Sequence, residues 1–238
     1  MPFNVGCDYP GRPEPKSNEV LGCYTSAVMA SCPLCSERAG KRYCPAKGSQ
    51  ICAVCCGTKR EIEIDCPSSC GYLKAAHSYE AEKRVPDAEL ATKIHEYDND
   101  FLHRFSPILD VISRLVVEER LNSPWLVDSD VIEVYKSLRA TMKTLASGIY
   151  YETAPDGPVR LSLFRRLRAG LDELMQPARN TDRNALKVSE ALDVLDFLTF
   201  AAQANSSVRP KSRRYLDWLT SMTGMSPSAE RSSGLIIP

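Results

Sequence analysis

Apolar residues recur at helical spacing along most of the chain after residue 86, and this periodicity predicts an all-helical region. Ser106 and Pro107 mark one helix start, because serine is a favoured N-cap and proline is favoured at the first helical position. Short links separate the apolar stretches, so antiparallel neighbours in a bundle are expected. The six predicted helices are about 87–104, one from Pro107 that ends at Asn122-Ser123-Pro124, one capped by Asp128 or Ser129, and about 159–176, 185–203 and 212–223. The apolar stripe predicted for the helix that starts at Asp128 or Ser129 is Val131, Tyr135, Leu138, Met142, Leu145 and Ile149.

The chain before residue 30 lacks this periodicity. Residues 1–28 hold four prolines among scattered charges, which is typical of a flexible segment and unlike a secretory signal. Met29 directly precedes the first ordered pattern, and we expect it to be the working start of the protein. The expected organisation is a flexible N-terminal segment at 1–29, a cysteine-rich module at 30–78, a helical domain at 80–224 and a disordered tail at 225–238.

Composition narrows the class of protein only modestly. Of the 238 residues, 43% are hydrophobic and 25% are charged, as in an ordinary globular chain. Thirty basic and thirty acidic residues cancel, so a protein that coats nucleic acid along its whole surface is not expected. No apolar run approaches the roughly eighteen residues that a membrane-spanning helix needs. With no export signal visible, a cytoplasmic protein without membrane contacts is expected.

Cysteine is the anomaly of the sequence. All ten cysteines lie before residue 71, and eight of them follow the spacing C-x2-C-x8-C-x7-C-x2-C-C-x9-C-x3-C from Cys32 to Cys70. Closely spaced pairs let one turn present two thiolates to one ion, and structural zinc takes four such ligands. The segment has little apolar surface to bury, so metal binding would supply its folding free energy. Eight thiols therefore predict two structural zinc ions.

The order of the thiols suggests how they divide between two ions. Adjacent Cys55 and Cys56 point in different directions in an extended chain, so they are expected to serve different sites. His77, seven residues after Cys70, is a further candidate ligand that could replace one thiol of the second site. The predicted sites are interleaved: Cys32, Cys35, Cys52 and Cys55 form the first, and Cys44, Cys56, Cys66 and Cys70 form the second.

Two other chemistries also use clustered cysteines. Disulfides need an oxidising compartment, and no export signal points to one. Iron–sulfur clusters take four thiolates as well, but the ferredoxin spacings C-x2-C-x2-C and C-x4-C-x2-C are absent. An iron–sulfur redox protein is the second alternative function. A catalytic thiol is not expected, because two four-thiol sites occupy every cysteine of the block.

A resemblance to known sequences covers about residues 30–73. It lies in four segments: Cys32-Pro-Leu-Cys35, Lys41-Arg-Tyr-Cys-Pro-Ala46, Ile51-Cys-Ala-Val-Cys-Cys-Gly-Thr-Lys-Arg60 and Glu63-Ile-Asp-Cys-Pro67. Here the chain resembles a bacterial cysteine-rich family, of the Cys-Cys-Gly-Thr-Lys-Arg type, whose function is unknown. The resemblance implies zinc binding and a following helical region but no particular activity. The block is also broadly similar to treble-clef and cross-brace zinc modules.

Cations cluster at two places, and an anionic partner could bind there. Phosphate binding needs exposed cations, and base stacking needs aromatic rings such as Tyr43. In the alternative interpretation, the cations near the cysteines offset the negative charge of the thiolates. The candidate nucleic-acid contacts are Lys41, Arg42, Lys59 and Arg60 in the cysteine-rich module, and Arg209, Lys211, Arg213 and Arg214 before the last helix.

No arrangement typical of an enzyme is visible. The sequence has no glycine-rich phosphate loop and no H-E-x-x-H or E-x-x-H metal motif. The predicted fold class is mostly α, with a small binuclear zinc module of treble-clef or cross-brace type followed by an all-helical bundle. The predicted function is a non-enzymatic adaptor that binds a protein partner, and the alternative is RNA or DNA binding through the two basic clusters.

Overall fold

The computed structural model describes residues 31–83, 97–176 and 185–225. In these ranges the chain is mostly helical, with seven helices and one small sheet, which confirms the predicted fold class. A cysteine cluster lies ahead of the long helices. The strands are β1 (Arg42–Cys44) and β2 (Ser49–Ile51), and the helices are α1 (Ala53–Lys59), α2 (Gly71–Glu82), α3 (Asn99–Asn122), α4 (Asp128–Ala146), α5 (Pro158–Met175), α6 (Val188–Asn205) and α7 (Arg214–Thr223).

Several predictions fall outside the described residues. The flexible segment at 1–29 and the start at Met29 are among them, as is nearly all of the tail at 225–238. The first part of the helix predicted at 87–104 lies there too, so only its end can be compared with the structure.

The cysteine-rich module is a β-hairpin followed by two short helices. β1 and β2 pair antiparallel, with Tyr43 opposite Gln50. Gly40 lies just before β1, at the open end of the hairpin: a Cβ there would lie 2.5 Å from the carbonyl oxygen of Gln50, so this close approach requires glycine. The small core of the module consists of cysteines closed by Ile51 and Ile64. The sulfur atoms therefore occupy the positions that apolar side chains take in a larger domain.

The helical domain is built around α4. This helix packs against α5, α6 and α7, and α3 closes the remaining side against α5 and α7. Tyr135 on α4 and Tyr215 on α7 are fully buried, and their hydroxyl oxygens are 3.2 Å apart. No helix in the described ranges combines the length and the apolar character that crossing a membrane requires.

The predicted α4 stripe is confirmed over most of its length. Val131, Tyr135, Leu138 and Met142 are all buried, as their spacing requires. Ile149 was expected at the end of this stripe, but α4 stops at Ala146 and Ile149 is exposed. The chain turns away through Gly148, whose φ of +76° is a left-handed conformation that glycine adopts without strain.

The helix start predicted at Ser106-Pro107 is wrong. α3 runs through this point without a break and begins instead after Asp98, whose carboxylate accepts a hydrogen bond from the amide of Phe101 at 2.8 Å. Pro107 has no N–H to donate to the carbonyl of His103. The hydroxyl of Ser106 donates to that carbonyl at 3.2 Å, so the helix continues with the acceptor satisfied.

Asp128 has a different role from the one predicted. It is the first residue of α4 rather than its cap. Its carboxylate instead accepts hydrogen bonds from the amides of Tyr215 and Leu216, each at 3.2 Å, and from the hydroxyl of Ser212 at 2.8 Å. A buried carboxylate on one helix thus caps the N-terminus of another, and it fixes α7 against α4.

Candidate metal centre

Four cysteine sulfurs meet at one end of the module. Cys32, Cys35, Cys52 and Cys55, the first cysteine set, have all their sulfurs within 4.8 Å of one another. The sulfurs of Cys35 and Cys52 are 4.0 Å apart. Three of the four side chains are buried and Cys35 is half-buried. Four thiols in this arrangement could hold a metal ion, and they are the four that the sequence assigns to the first site.

Two backbone turns present these sulfurs in pairs. In the first turn, the amides of Cys35 and Ser36 donate to the carbonyl oxygen of Cys32 at 3.3 and 2.7 Å. In the second turn, Cys52 caps α1, and its sulfur accepts a hydrogen bond from the amide of Cys55 at 3.3 Å. The chain at Cys55 and Cys56 is helical, not extended as expected, but adjacent residues of a helix also point in different directions.

The thiols of the first cysteine set differ in acidity. Burial acts to raise the pKa of Cys32, but hydrogen bonds from backbone amides outweigh it and lower this pKa to about 6. The backbone amide of Glu37 is the chief cause of the lowered pKa of Cys35. Burial and the neighbouring thiols raise the pKa of Cys55 to about 12. A bound cation would stabilise all of the thiolates together.

Cysteines of the second predicted site, here called the second cysteine set, line one small cavity: they are Cys44, Cys56, Cys66 and Cys70. Cys44 ends β1, Cys56 lies on α1, and Cys66 and Cys70 precede α2. Burial raises the pKa of Cys66, and the nearby Cys44, Cys70 and Glu61 add to this effect. Within the described residues, only the first cysteine set reaches the 4.8 Å spacing. The structure brings the second set to a common cavity without closing it to that distance.

His77 lies beside Glu61 and not among the sulfurs. Its Nε2 is 3.1 Å from Oε2 of Glu61, whose side chain is buried. The Glu61 backbone has a φ of +54°, a left-handed conformation that is uncommon for glutamate. The imidazole supplies a partner for a carboxylate that would otherwise be buried alone. The structure therefore gives the candidate ligand His77 a partner other than the cysteines.

The four candidate nucleic-acid contacts of the cysteine-rich module differ in whether the rest of the protein already engages their side chains. Lys59 Nζ lies 2.7 Å from the carboxylate of Glu63, and Arg60 is buried. Lys41 is exposed, and Arg42 lies over an aromatic ring. Among the described residues, neither Lys41 nor Arg42 forms an ion pair. These two are the cations of the predicted patch that remain open to a partner.

The second predicted patch lies against the loop between α1 and α2, residues 60–70. Lys211 donates from its amide to the carbonyl of Glu61 at 2.9 Å and from Nζ to that of Glu63 at 3.1 Å. Arg209 donates to the carbonyl oxygen of Arg60 at 3.3 Å. These bonds join the loop to the segment that leads into α7.

Side-chain contacts also join the loop 60–70 to the start of α7. Arg213 is buried and forms an ion pair with Asp65. Asp217 accepts a hydrogen bond from the hydroxyl of Ser68 at 2.7 Å. Arg214 forms no ion pair with another described residue. Three of the four cations in this predicted patch thus fasten the cysteine-rich module to the helical domain.

Sequence reasoning missed the residues of the cysteine-rich module whose side chains bond across this boundary. Asp65 and Ser68 lie about 150 positions from their partners, and no local spacing indicates such a contact. It also missed two exposed tyrosines, Tyr72 and Tyr79, on α2. Their separation of seven residues, which is two helical turns, was a usable signal.

No family model, curated protein or solved structure matches this chain. The resemblance to a bacterial cysteine-rich family therefore stays a prediction. What the protein does has to be argued from its own residues.

Proposed function

We propose that this protein is a non-enzymatic adaptor whose cysteine-rich module is held in shape by two structural zinc ions. The observation that carries the proposal is the approach of the four sulfurs of the first cysteine set to within 4.8 Å. Tetrahedral zinc, with Zn–S bonds of about 2.3 Å, places its sulfurs about 3.8 Å apart. An iron–sulfur cluster holds the thiolates of different iron atoms further apart, so a single ion suits this spacing better.

A second zinc ion at the second cysteine set is supported by the shared cavity. The four thiols come from a strand, a helix and the loop 60–70, so one ion would tie all three together. Like-charge neighbours oppose the ionisation of Cys66, and a divalent cation would reverse that effect.

The proposed zinc ions are structural. Four thiolates fill a tetrahedral site and leave no position for a substrate or a reactive water. What the ions would fix is the loop 60–70, whose carbonyls and side chains hold the segment leading into α7. Metal binding would in this way orient the module on the helical domain.

An exposed groove between α3, α6 and α7 supports a role in protein binding. Leu109, Phe197, Trp218 and Met222 line it, and Met222 is largely exposed. Exposed apolar surface of this kind marks sites of protein association, where aromatic residues and methionine are enriched. The proposed adaptor would hold its protein partner in this groove.

Elemental analysis of the anaerobically purified full-length protein tests the metal part of the proposal. We expect about two zinc ions per chain, falling to about one in Cys35→Ser and in Cys66→Ser. Cys23→Ser, a cysteine outside both sets, is the matched control and should leave the ratio unchanged. One zinc in the unaltered protein would overturn the second site, and iron with sulfide would support the redox alternative.

Site-specific photo-cross-linking tests the adaptor part. A photoreactive residue at position 222 is expected to capture a defined protein partner in cells. The same residue at position 150, which is equally exposed but outside the groove, should not capture that partner. Trp218→Asp should abolish the cross-link. Absence of any specific cross-link at position 222 would contradict protein binding in this groove.

A further inference from the structure

Three exposed tyrosines lie along one side of the cysteine-rich module. Tyr43 on β1 is 57% exposed, and Tyr72 and Tyr79 on α2 are 41% and 57% exposed. We call these three residues the tyrosine row. Exposed aromatic side chains keep apolar surface in contact with water, and burying that surface against a partner is favourable, so a group of them indicates a binding surface.

The tyrosine row spans both the hairpin and α2 of the module. Tyr72 and Tyr79 are seven residues apart, so they lie two turns, or about 10 Å, apart on the same side of α2. Tyr43 and Tyr72 both border the cavity of the second cysteine set, so the tyrosine of the hairpin is a neighbour of the first tyrosine of the helix. The row thus crosses from one element of the module to the other.

Cations accompany the rings. The guanidinium carbon of Arg42 is 4.9 Å from the ring centre of Tyr72, and Lys83 Nζ is 4.5 Å from that of Tyr79. Lys41, next to Arg42 in the hairpin, is exposed. In the ranges 31–83, 97–176 and 185–225, none of these three cations forms an ion pair with a carboxylate. This contrasts with Lys59 and with the segment 209–213, whose cations are engaged within the protein.

We infer that the tyrosine row binds single-stranded nucleic acid. Unpaired bases present flat faces that stack on tyrosine rings, and such stacking tolerates any sequence. Arg42 and Lys83 lie over two of these rings and Lys41 is exposed beside Arg42, so they supply positive charge for the phosphates of a bound strand, and an arginine plane also stacks on bases. In a base-paired duplex the base faces are stacked on one another, so a duplex could contact only the cations of this surface and not the tyrosine rings. The inference gives the proposed adaptor a second kind of partner, and it rests on the folded module.

Fluorescence anisotropy with a labelled oligouridylate of about twelve nucleotides tests the inference on the full-length, zinc-containing protein. Binding should weaken with salt, with a logarithmic slope of about 0.7 per phosphate contacted. Tyr72→Ala and Tyr79→Ala should each reduce the affinity about five-fold or more, whereas Tyr72→Phe retains it. Lys41→Ala should lower the slope by about 0.7.

Tyr150→Ala is the matched control, because Tyr150 is 68% exposed in the link between α4 and α5. It should leave the affinity unchanged. The inference would be overturned if the two alanine variants bound the oligouridylate as strongly as the unaltered protein, and if the unaltered protein bound a duplex of the same length equally well. The interaction would then depend on charge alone. No binding at about 50 mM salt would overturn it as well, and would leave the row as a surface for protein.

Ultraviolet cross-linking of the unaltered protein tests the inference without any substitution, so its result does not depend on whether the variants fold. Cross-links should map to the tyrosine row, and cross-links confined to other regions would contradict the inference. Zinc content measured on the same sample separates the two proposals. A sample with two zinc ions that does not bind overturns only the nucleic-acid inference, whereas a folded, binding sample without zinc overturns only the metal proposal.

Discussion

Arg213 and Asp65 are 148 residues apart in the chain and form an ion pair between the helical domain and the cysteine-rich module. Arg213 directly precedes α7 and is buried, and Asp65 directly precedes Cys66 of the second cysteine set. Hydrogen bonding from Arg213 is the chief cause of the lowered pKa of Asp65. The pair therefore links the position of a proposed metal ligand to the start of α7.

Replacing Arg213 should destabilise the protein more than replacing an exposed arginine. Arg213→Met removes the partner of Asp65 and a donor to the carbonyl of Leu126, so we expect a loss of about 1–3 kcal/mol in the free energy of unfolding. Arg139→Met is the matched control, because its ion pair with Asp196 is half-exposed and should contribute less than about 1 kcal/mol. Urea denaturation measures both, and equal losses would contradict the structural role of Arg213.

Replacing Asp128 should reduce the free energy of unfolding at least as much as replacing Arg213. Asp128→Ala leaves the amides of Tyr215 and Leu216 without acceptors at the buried start of α7, which we expect to cost about 2 kcal/mol or more. Asp130→Ala is a suitable control, because Asp130 forms a less buried ion pair with Arg160 at the same end of α4. The measurement is the helical unfolding transition by circular dichroism. A smaller loss for Asp128→Ala than for Asp130→Ala would show that the cap contributes little.

The same carboxyl group should make stability depend on pH. Burial raises the pKa of Asp128 despite the hydrogen bonds that it accepts. A carboxyl whose folded-state pKa is raised contributes stability that is fully present below its unfolded pKa and is lost as pH rises through the folded value. The stability difference between the unaltered protein and Asp128→Asn should therefore shrink as the pH rises from about 4, the ordinary value for a carboxyl, through the raised folded-state value. A difference that grows with pH over this window would contradict the direction of the shift.

The helical domain was predictable because its core is periodic. Tyr135 and Leu138 on α4, and Leu167 and Leu171 on α5, are buried at the spacing that the sequence shows. Ser106 misled the prediction, because the same residue type that caps a helix also satisfies the carbonyl that a proline inside a helix leaves free.

In the cysteine-rich module, the grouping of the first cysteine set was predictable from the thiol spacing, but the shape of the module was not. α2 buries only Leu73 completely, so its sequence carries no strong apolar stripe, and α1 is held by thiols rather than by a hydrophobic face. The contacts of Lys211 with Glu61 and Glu63 go to backbone carbonyls, which are the same for every residue type. No sequence pattern could have located them.

Metal removal should unfold the module and spare the helical domain. The small core of the module is mostly cysteine, whereas the larger core around Tyr135 contains no cysteine among the described residues. A strong zinc chelator should therefore reduce the helical signal by the contribution of α1 and α2 and leave a separate cooperative transition. Calorimetry with and without chelator measures this. Loss of all helical structure on chelation would contradict it, because the helical domain would then depend on the metal.

Two glycines of the module provide a matched pair of alanine substitutions. Gly40→Ala would place a Cβ 2.5 Å from the carbonyl oxygen of Gln50, and since this is backbone the hairpin must open to admit it. Gly57 lies on α1, and a Cβ there would meet nothing within 4 Å. Gly57→Ala should therefore be tolerated, or should stabilise the helix by up to about 1 kcal/mol. Competition with a chromophoric chelator should show at least about ten-fold weaker metal binding for Gly40→Ala alone, because opening the hairpin displaces Cys52 from the first cysteine set and Cys44 from the second. Equal metal affinities for the two variants would mean that the hairpin does not position these ligands.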